Sequence, residues 1–259
     1  MKRYLSYVGG TLIIAISYLF LYVPILILII FSFNTKNFPS PWDQFTFKWY
    51  KELFSSSDIW HSFVNSLIVA FCSTGLSLLM GVCLIFFRAS GGKIQKALPL
   101  FYGNLIIPET VLAISLLSYF TFFNIELGIT TLIISHTVLG LGFTIPILCT
   151  QFTQLDPRLN EASLILGASS YETFFKITLP LLRPTLVASG LLIFILSFDD
   201  FILSYFCAGT SIQTLSLYLL SMLRSGISPI VNALSTLLLI LSGLLVMLFF
   251  SPKIRSRIL

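Results

Sequence analysis

Apolar residues run through this chain in long unbroken stretches, far longer than one face of a soluble helix requires, with short polar stretches between them. Six runs stand out, near 9–33, 62–87, 97–123, 129–152, 185–207 and 230–250. Crossing a bilayer's hydrocarbon core takes roughly 20 helical residues. The pattern therefore predicts an all-α polytopic membrane protein with six transmembrane helices, folded as one domain over 1–259. Three connections are long enough to hold structure of their own: about 34–61, 154–184 and 209–229.

Each connection has local signals. In the first, FTFKWYKELF predicts a short helix lying at the membrane interface, with Trp42, Trp49 and Trp60 as an anchoring aromatic belt. In the last, SLYLLSMLRSG predicts a partial or re-entrant helix, which persists at membrane depth only where protein or water covers it. The middle connection is the most strongly punctuated. Asp156 followed by Pro157 reads as an N-cap and a first-turn proline, and Gly167 is placed to end that helix. Ser169 and Glu172 then have capping-box spacing for a second helix, which Pro180 is expected to stop or kink.

Composition agrees with a membrane protein. Of 259 residues 56% are hydrophobic and only 10% charged, against about 25% charged in soluble domains. The net charge of +5 has to be read by position. Lys2, Arg3, Arg88, Lys93, Lys96, Arg158, Lys176, Arg183, Lys253, Arg255 and Arg257 fall on one side of the predicted spans. Lys36, Lys48, Lys51 and Arg224 fall on the other. The positive-inside bias places both termini in the cytoplasm, and the basic residues need no nucleic-acid partner. MKRYLSYVGG resembles a signal-peptide n-region, but the apolar run from Thr11 to Phe33 is too long for one, so a retained first span is expected. Cys72, Cys83, Cys149 and Cys207 have neither C-x-x-C spacing nor metal-ligand intervals to His61 or His136, and read as small buried hydrophobes. No metal or cofactor is implied.

The acids are more informative. Asp43, Glu52, Asp58 and Glu126 fall outside and Asp156, Glu161 and Glu172 in the cytoplasm, which leaves Glu109, Asp199 and Asp200 inside apolar runs. A charged side chain at mid-bilayer costs roughly 2.5–3.5 kcal/mol on insertion scales, and no lysine or arginine shares those depths. The three acids are then protonated, paired across a subunit interface, or facing water and a cationic solute. On a continuous helix Asp200 shares a face with Ser197 and Ser204, expected to line a pathway, while Asp199 points about 100° away, toward a partner subunit. Glu109 follows Pro108, which favours a bend or break. His136, alone in its span, reads as a hydrogen-bonded core residue rather than a proton relay. A secondary transporter or channel for organic cations would use the same acids. An intramembrane aspartyl protease needs two aspartates from separate helices, which adjacent Asp199 and Asp200 do not supply. Nor does SGGKIQ at Ser90–Gln95 have the spacing of a P-loop, so the chain has no nucleotide-binding motif of its own.

Glu161-Ala162-Ser163, three residues, Gly167, nine residues and Ile177-x-Leu179-Pro180 resemble the EAA loop of the inner-membrane permeases of bacterial ABC importers. Ser163 stands where that family has a second alanine and keeps the position small. SFDDFILSYF, LYLLSMLRSGISPIVNALSTLLL, IPETVLAISLL and FKWY resemble the polyamine branch of the family, the C-type permease subunits of spermidine/putrescine importers. The resemblance implies the type I ABC importer permease fold, with Glu161, Ala162, Ser163 and Gly167 docking on a separate ATPase. It also implies two copies of that ATP-binding subunit, a second homologous permease subunit and an extracytoplasmic polyamine-binding protein. Under it, Glu109, Asp199 and Asp200 are the expected substrate pathway.

Overall fold

Where the chain is apolar it is helical, and it leaves the helix within an apolar run at Pro108 and at Asp200, whereas Pro24, Pro146 and Pro184 lie inside helices. The computed structural model describes residues 2–36, 40–225 and 229–249. In order these form α1 (Lys2–Phe31), α2 (Lys48–Ser55), α3 (Ser57–Ala89), α4 (Leu98–Ile106), α5 (Glu109–Phe122), α6 (Ile129–Gln154), α7 (Pro157–Ile165), α8 (Ser170–Thr173), α9 (Leu179–Asp199), α10 (Ile202–Cys207), α11 (Leu215–Ser225) and α12 (Pro229–Phe249). Asn34 and Phe45 form an isolated antiparallel bridge. Of the cations used to orient the chain, the side chains of Lys2 and Arg3 and the whole of Lys253, Arg255 and Arg257 lie outside the described residues.

Among the described residues four helices are long and apolar enough to cross a membrane: Leu12–Phe31, Ser57–Ala89, Ile129–Gln154 and Ser170–Asp199. The predicted span 97–123 is instead a pair, α4 and α5, bent by 117°. Its break falls at Ile107, extended at φ −68° and ψ 130°, because the ring of Pro108 disfavours helix in the residue before it. The predicted span 185–207 also divides. α9 ends at Asp199, Asp200 is extended at φ −63° and ψ 129°, and α10 begins two residues later.

A helix break at membrane depth exposes amides and carbonyls that water cannot satisfy, so protein must. Asp200 does this for α10: its carboxylate accepts from the Ser204 amide at 2.9 Å and, more loosely, from the Leu203 amide at 3.4 Å. The Ser216 hydroxyl at the start of α11 donates to the Asp200 carbonyl at 2.6 Å. The Ser66 hydroxyl of α3 accepts the Leu215 amide at 2.8 Å, which fixes the first turn of α11. The partial helix expected in 209–229 is therefore α11.

The chain forms two compact units. In the first, Trp60–Tyr218, α6 is the central element, with 61% of its most apolar window buried. Ile145, Leu148 and Cys149 of α6 pack with Ile85 of α3, Leu182 of α9 and Phe174. Small residues bring these helices close, as packing without a hydrophobic drive between helices requires. A Cβ on Gly140 would collide with Ser77 and Ile193, and one on Gly81 would sit 2.6 Å from the Thr144 methyl. Cys149 and Cys207 are buried, as expected for small hydrophobes, whereas Cys72 and Cys83 are exposed.

The second unit comprises the described parts of Met1–Ile59 and Leu219–Ile258. Trp49 is not part of an exposed belt here. It is 8% exposed and donates its indole N–H to the Asn34 carbonyl at 2.7 Å, so FKWY packs inward, while Trp42 is exposed. Tyr50 and Ser32 share a 2.8 Å hydroxyl contact, the Phe33 and Phe47 rings pack against Tyr50, and Phe45 stacks on Phe33.

The middle connection follows its punctuation closely. Asp156 accepts the Arg158 amide at 3.0 Å, and Gly167 turns the corner at φ +86°, a left-handed value that glycine takes without a Cβ clash. Ser169 and Glu172 form the reciprocal capping box. Pro180, however, does not stop the helix. The turn Phe174–Thr178 widens to a π turn in which the Leu179 amide reaches the Phe174 carbonyl, and this extra residue absorbs the ring as the chain runs on into α9.

Gly140→Val is expected to lower the thermal stability of the detergent-purified protein by about 1–3 kcal/mol, the usual cost of overpacking. At Gly75 an added Cβ would meet nothing within 4 Å, so alanine there should leave the melting temperature unchanged or raise it; equal losses for both would refute close packing at Gly140.

Candidate functional site

Both helix breaks open onto one cavity of about 580 Å³ in the Trp60–Tyr218 unit. The α4–α5 break contributes Asn104, Ile107 and Glu109, the α9–α10 break contributes Asp199, Asp200 and Phe201, and Leu139 and Phe143 of α6 form part of the wall. Glu109, Asp199 and Asp200, separated by some ninety positions in the chain, thus meet in one place. Among the described lining residues there is no lysine or arginine.

The ends of the broken helices add to the field. α4 and α9 terminate at the cavity, and a helix C terminus carries partial negative charge. The helices that restart each begin with a carboxylate: Glu109 is the first residue of α5, and Asp200 caps α10. Carboxylates are favoured at such N termini by the unpaired amides there, which explains why the chain tolerates acids at these two points.

The three acids differ in surroundings. The Asp200 side chain is 1% exposed and lies 3.4 Å from Nε2 of His136, which is equally buried, in a contact not aligned as a hydrogen bond. Nδ1 of His136 meets the Ser197 hydroxyl at 2.7 Å, and that hydroxyl meets Ser73 of α3 at 3.1 Å. A polar chain thus links α3, α9, α6 and the break. Glu109 is half-buried and lines the same cavity as Asp200. Asp199 is exposed along the cavity lining.

The continuous-helix geometry drawn for SFDDFILSYF does not hold, because the chain is extended at Asp200. Ser197 and Asp200 are still joined, but through His136 on another helix, and Ser204 reaches Asp200 by its backbone amide. The sequence offered no partner for the acids because no lysine or arginine shares their depth; the available signal was that His136 is itself an isolated polar residue in an apolar run.

Glu161, Ala162, Ser163 and Gly167 do not line this cavity. They form the α7 corner, where Glu161 and Ala162 are exposed. Ser163 is buried, its hydroxyl 2.9 Å from that of Thr173, and Thr178 donates to Asn160 at 3.2 Å, so α7 is pinned to the helix leading into α9. Beside Glu161 the chain presents bare apolar side chains, Ile165 at 85% and Leu166 at 87% exposure.

Comparison with known proteins places this geometry. Residues 73–256 match the family described as binding-protein-dependent transport system inner membrane component. The chain is 37% identical over 233 residues, 88% of each chain, to the spermidine/putrescine transport system permease protein PotC of Escherichia coli strain K12. It is 33% identical over 235 residues to PotC of Haemophilus influenzae, covering 89% of this chain and 91% of that one. Its identity to the putrescine transport system permease protein PotI of Escherichia coli strain K12 is 30% over 237 residues, 88% of this chain and 84% of that one. Among solved structures, a chain of a bacterial ABC transporter involved in the import of the acidic polysaccharide alginate superposes with a TM-score of 0.74 at 17% identity, over 98% of this chain and 96% of that one. That last likeness is one of fold, the ABC importer permease fold. The chain belongs to the family of binding-protein-dependent transport system inner membrane components.

Proposed function

We propose that this chain is the permease subunit of an ATP-driven polyamine importer, forming one half of a path for spermidine or putrescine across the bacterial inner membrane. One observation carries the reading: three acids from two helix breaks converge on one cavity whose lining, among the described residues, holds no lysine or arginine. A polyammonium solute supplies the charge such a site lacks, and acceptors held in place by folding lower the cost of its passage through low dielectric. The relatives named for spermidine and putrescine transport support the choice of solute.

Glu109, Asp199 and Asp200 form this path, and burial divides their work. Asp199 and Glu109 meet the solute, whereas Asp200, covered by His136 and capping α10, holds the break open between them. Lacking a P-loop, the chain takes its energy from a separate ATP-binding subunit, present in two copies, that grips Glu161, Ala162, Ser163 and Gly167 and packs on the exposed apolar side chains beside them. A second homologous permease subunit supplies the opposite wall, and an extracytoplasmic binding protein delivers the polyamine and sets selectivity. Both termini lie in the cytoplasm, and the whole chain acts as a single permease domain.

In proteoliposomes holding the assembled complex, ATP-dependent uptake of labelled spermidine and putrescine is expected for the wild type and should fall at least tenfold in Asp199→Asn. Glu161→Ala should abolish uptake by weakening co-purification of the ATPase. If the wild type transported a different solute and no polyamine, the solute assignment would be wrong; stable transport without any bound ATPase would favour the secondary-transporter reading.

For Asp200 the expected signature is structural as well as functional. Asp200→Asn and His136→Leu should each lower the melting temperature of the purified protein, at a cost of about 1–3 kcal/mol for the groups left unpaired, whereas Asp199→Asn should not. Equal melting temperatures for all three would remove the distinction between the two aspartates.

A further inference from the structure

A buried imidazole and a buried carboxylate face each other at the α9–α10 break without bonding. Nε2 of His136 lies 3.4 Å from Oδ2 of Asp200, both side chains are 1% exposed, and Nε2 has no hydrogen-bond partner. A proton on either atom would draw the two into a hydrogen bond, typically about 2.7–3.2 Å long and nearly straight. The longer, misaligned contact is that of two acceptors.

The far end of the polar chain leads to the same assignment. Ser73 of α3 donates its one hydroxyl proton to the Ala70 carbonyl at 3.2 Å. Toward Ser197, at 3.1 Å, it can then only accept. Ser197 therefore donates to Ser73 and accepts from Nδ1 of His136 at 2.7 Å. A neutral imidazole carries a single N–H. With that proton on Nδ1, Nε2 is left with a lone pair.

We infer that His136 and Asp200 form a proton-binding site at the break, with Ser73 and Ser197 holding His136 as its Nδ1–H tautomer so that Nε2 is free to take up a proton. The proton comes from water reaching the cavity, which Asp200 lines, and returns there when it leaves. On entry it forms one N–H bond at Nε2, which then donates to Oδ2, and the pair becomes neutral overall. The elements around this site bring no opposing cation. Glu109 begins α5, Asp199 and Asp200 lie where α9 ends, and Cys207 is buried on α10. Asn104 of α4 and Ser73 of α3 are uncharged, and Arg88 lies in the last turn of α3, over the Phe152 ring.

The consequence for transport rests on the polyamine reading of the cavity. While Nε2 is bare, Asp200 stays ionised, caps α10 through the Ser204 amide and adds its charge to those of Glu109 and Asp199. A proton at Nε2 cancels that charge and draws Oδ2 toward α6, away from the amide it caps. Proton and alkylammonium compete for the same field, so uptake is present with Nε2 bare and is lost as the pH falls far enough to protonate it.

Two measurements test this. The chain has two histidines, His61 and His136, so nitrogen NMR of the histidine-labelled full chain, with His61→Gln to assign the signals, reads the tautomer directly. Nδ1 protonated and Nε2 bare is expected at neutral pH; a protonated Nε2 there overturns the inference. The second uses the complex reconstituted with its ATPase, partner permease and binding protein, and follows uptake of labelled putrescine stepwise from neutral to acid pH. Each protein is normalised to its own neutral-pH rate, because the other subunits titrate too. His136→Asn keeps an amide N–H for Ser197 but has no group that reaches Asp200. Its normalised uptake should hold while that of the wild type falls, so their ratio should rise on the order of threefold or more, the effect of roughly half a pH unit on one titrating group. Parallel curves would overturn the inference. If His136→Asn does not assemble, the NMR result decides alone. Failure of the polyamine reading looks different: a wild type that moves no putrescine even at neutral pH, with the expected tautomer, loses the solute assignment and keeps the proton site.

Discussion

In hydrocarbon, every polar group the chain carries must find its partner within protein, and this requirement organises the structure around its two helix breaks. A proline stops α4 and α9 ends at an acid, and at the second break the freed backbone is satisfied locally. Asp200 receives two amides, and its own carbonyl receives the Ser216 hydroxyl. The polar chain Ser73, Ser197, His136 runs to the same point. Among the described residues the buried polar atoms left without a hydrogen bond are Oγ1 of Thr74, Oδ1 of Asn104, Nε2 of His136 and Oγ of Ser204, while Asp199 stays exposed at the cavity edge.

The same economy governs the packing that carries the breaks. α6 has glycines where α3, α4 and α9 must approach it: Gly140 meets Ser77 and Ile193, and Gly142 meets Asn104. Hydroxyls and amides then bond across those contacts, Ser77 to the Thr137 carbonyl at 3.2 Å and Asn104 to the Val138 carbonyl. The α6 helix is thus both the scaffold of the unit and one wall of its cavity, so small changes in its packing are felt directly at the acids.

The α7 corner obeys ordinary aqueous rules instead. Its caps, its left-handed glycine and its capping box are signals that act over three or four residues. Ser163 shows how a family departure is accommodated: a hydroxyl in place of a methyl is buried, and Thr173 receives it. At its tip the apolar side chains of Ile165 and Leu166 are left bare.

Much of this could be read from the amino-acid sequence because the signals are local. Apolar run length alone specified an all-α membrane protein, Pro108 marked the first break, and Asp156, Gly167, Ser169 and Glu172 laid out the α7 corner residue by residue. The same reading missed the break at Asp200, the passage of the helix through Pro180, the inward turn of Trp49, and the pairing of Asp200 with His136. Most of these depend on groups far apart in the chain: an extended residue at 200 is tolerable only because Ser216 and His136 arrive there, and Trp49 turns inward to a carbonyl at position 34. The sequence by itself determined which residues are costly to place in a membrane. Only the tertiary structure decided which of them are paired off and which are left facing the cavity, because that depends on contacts between helices that no periodicity along one helix encodes.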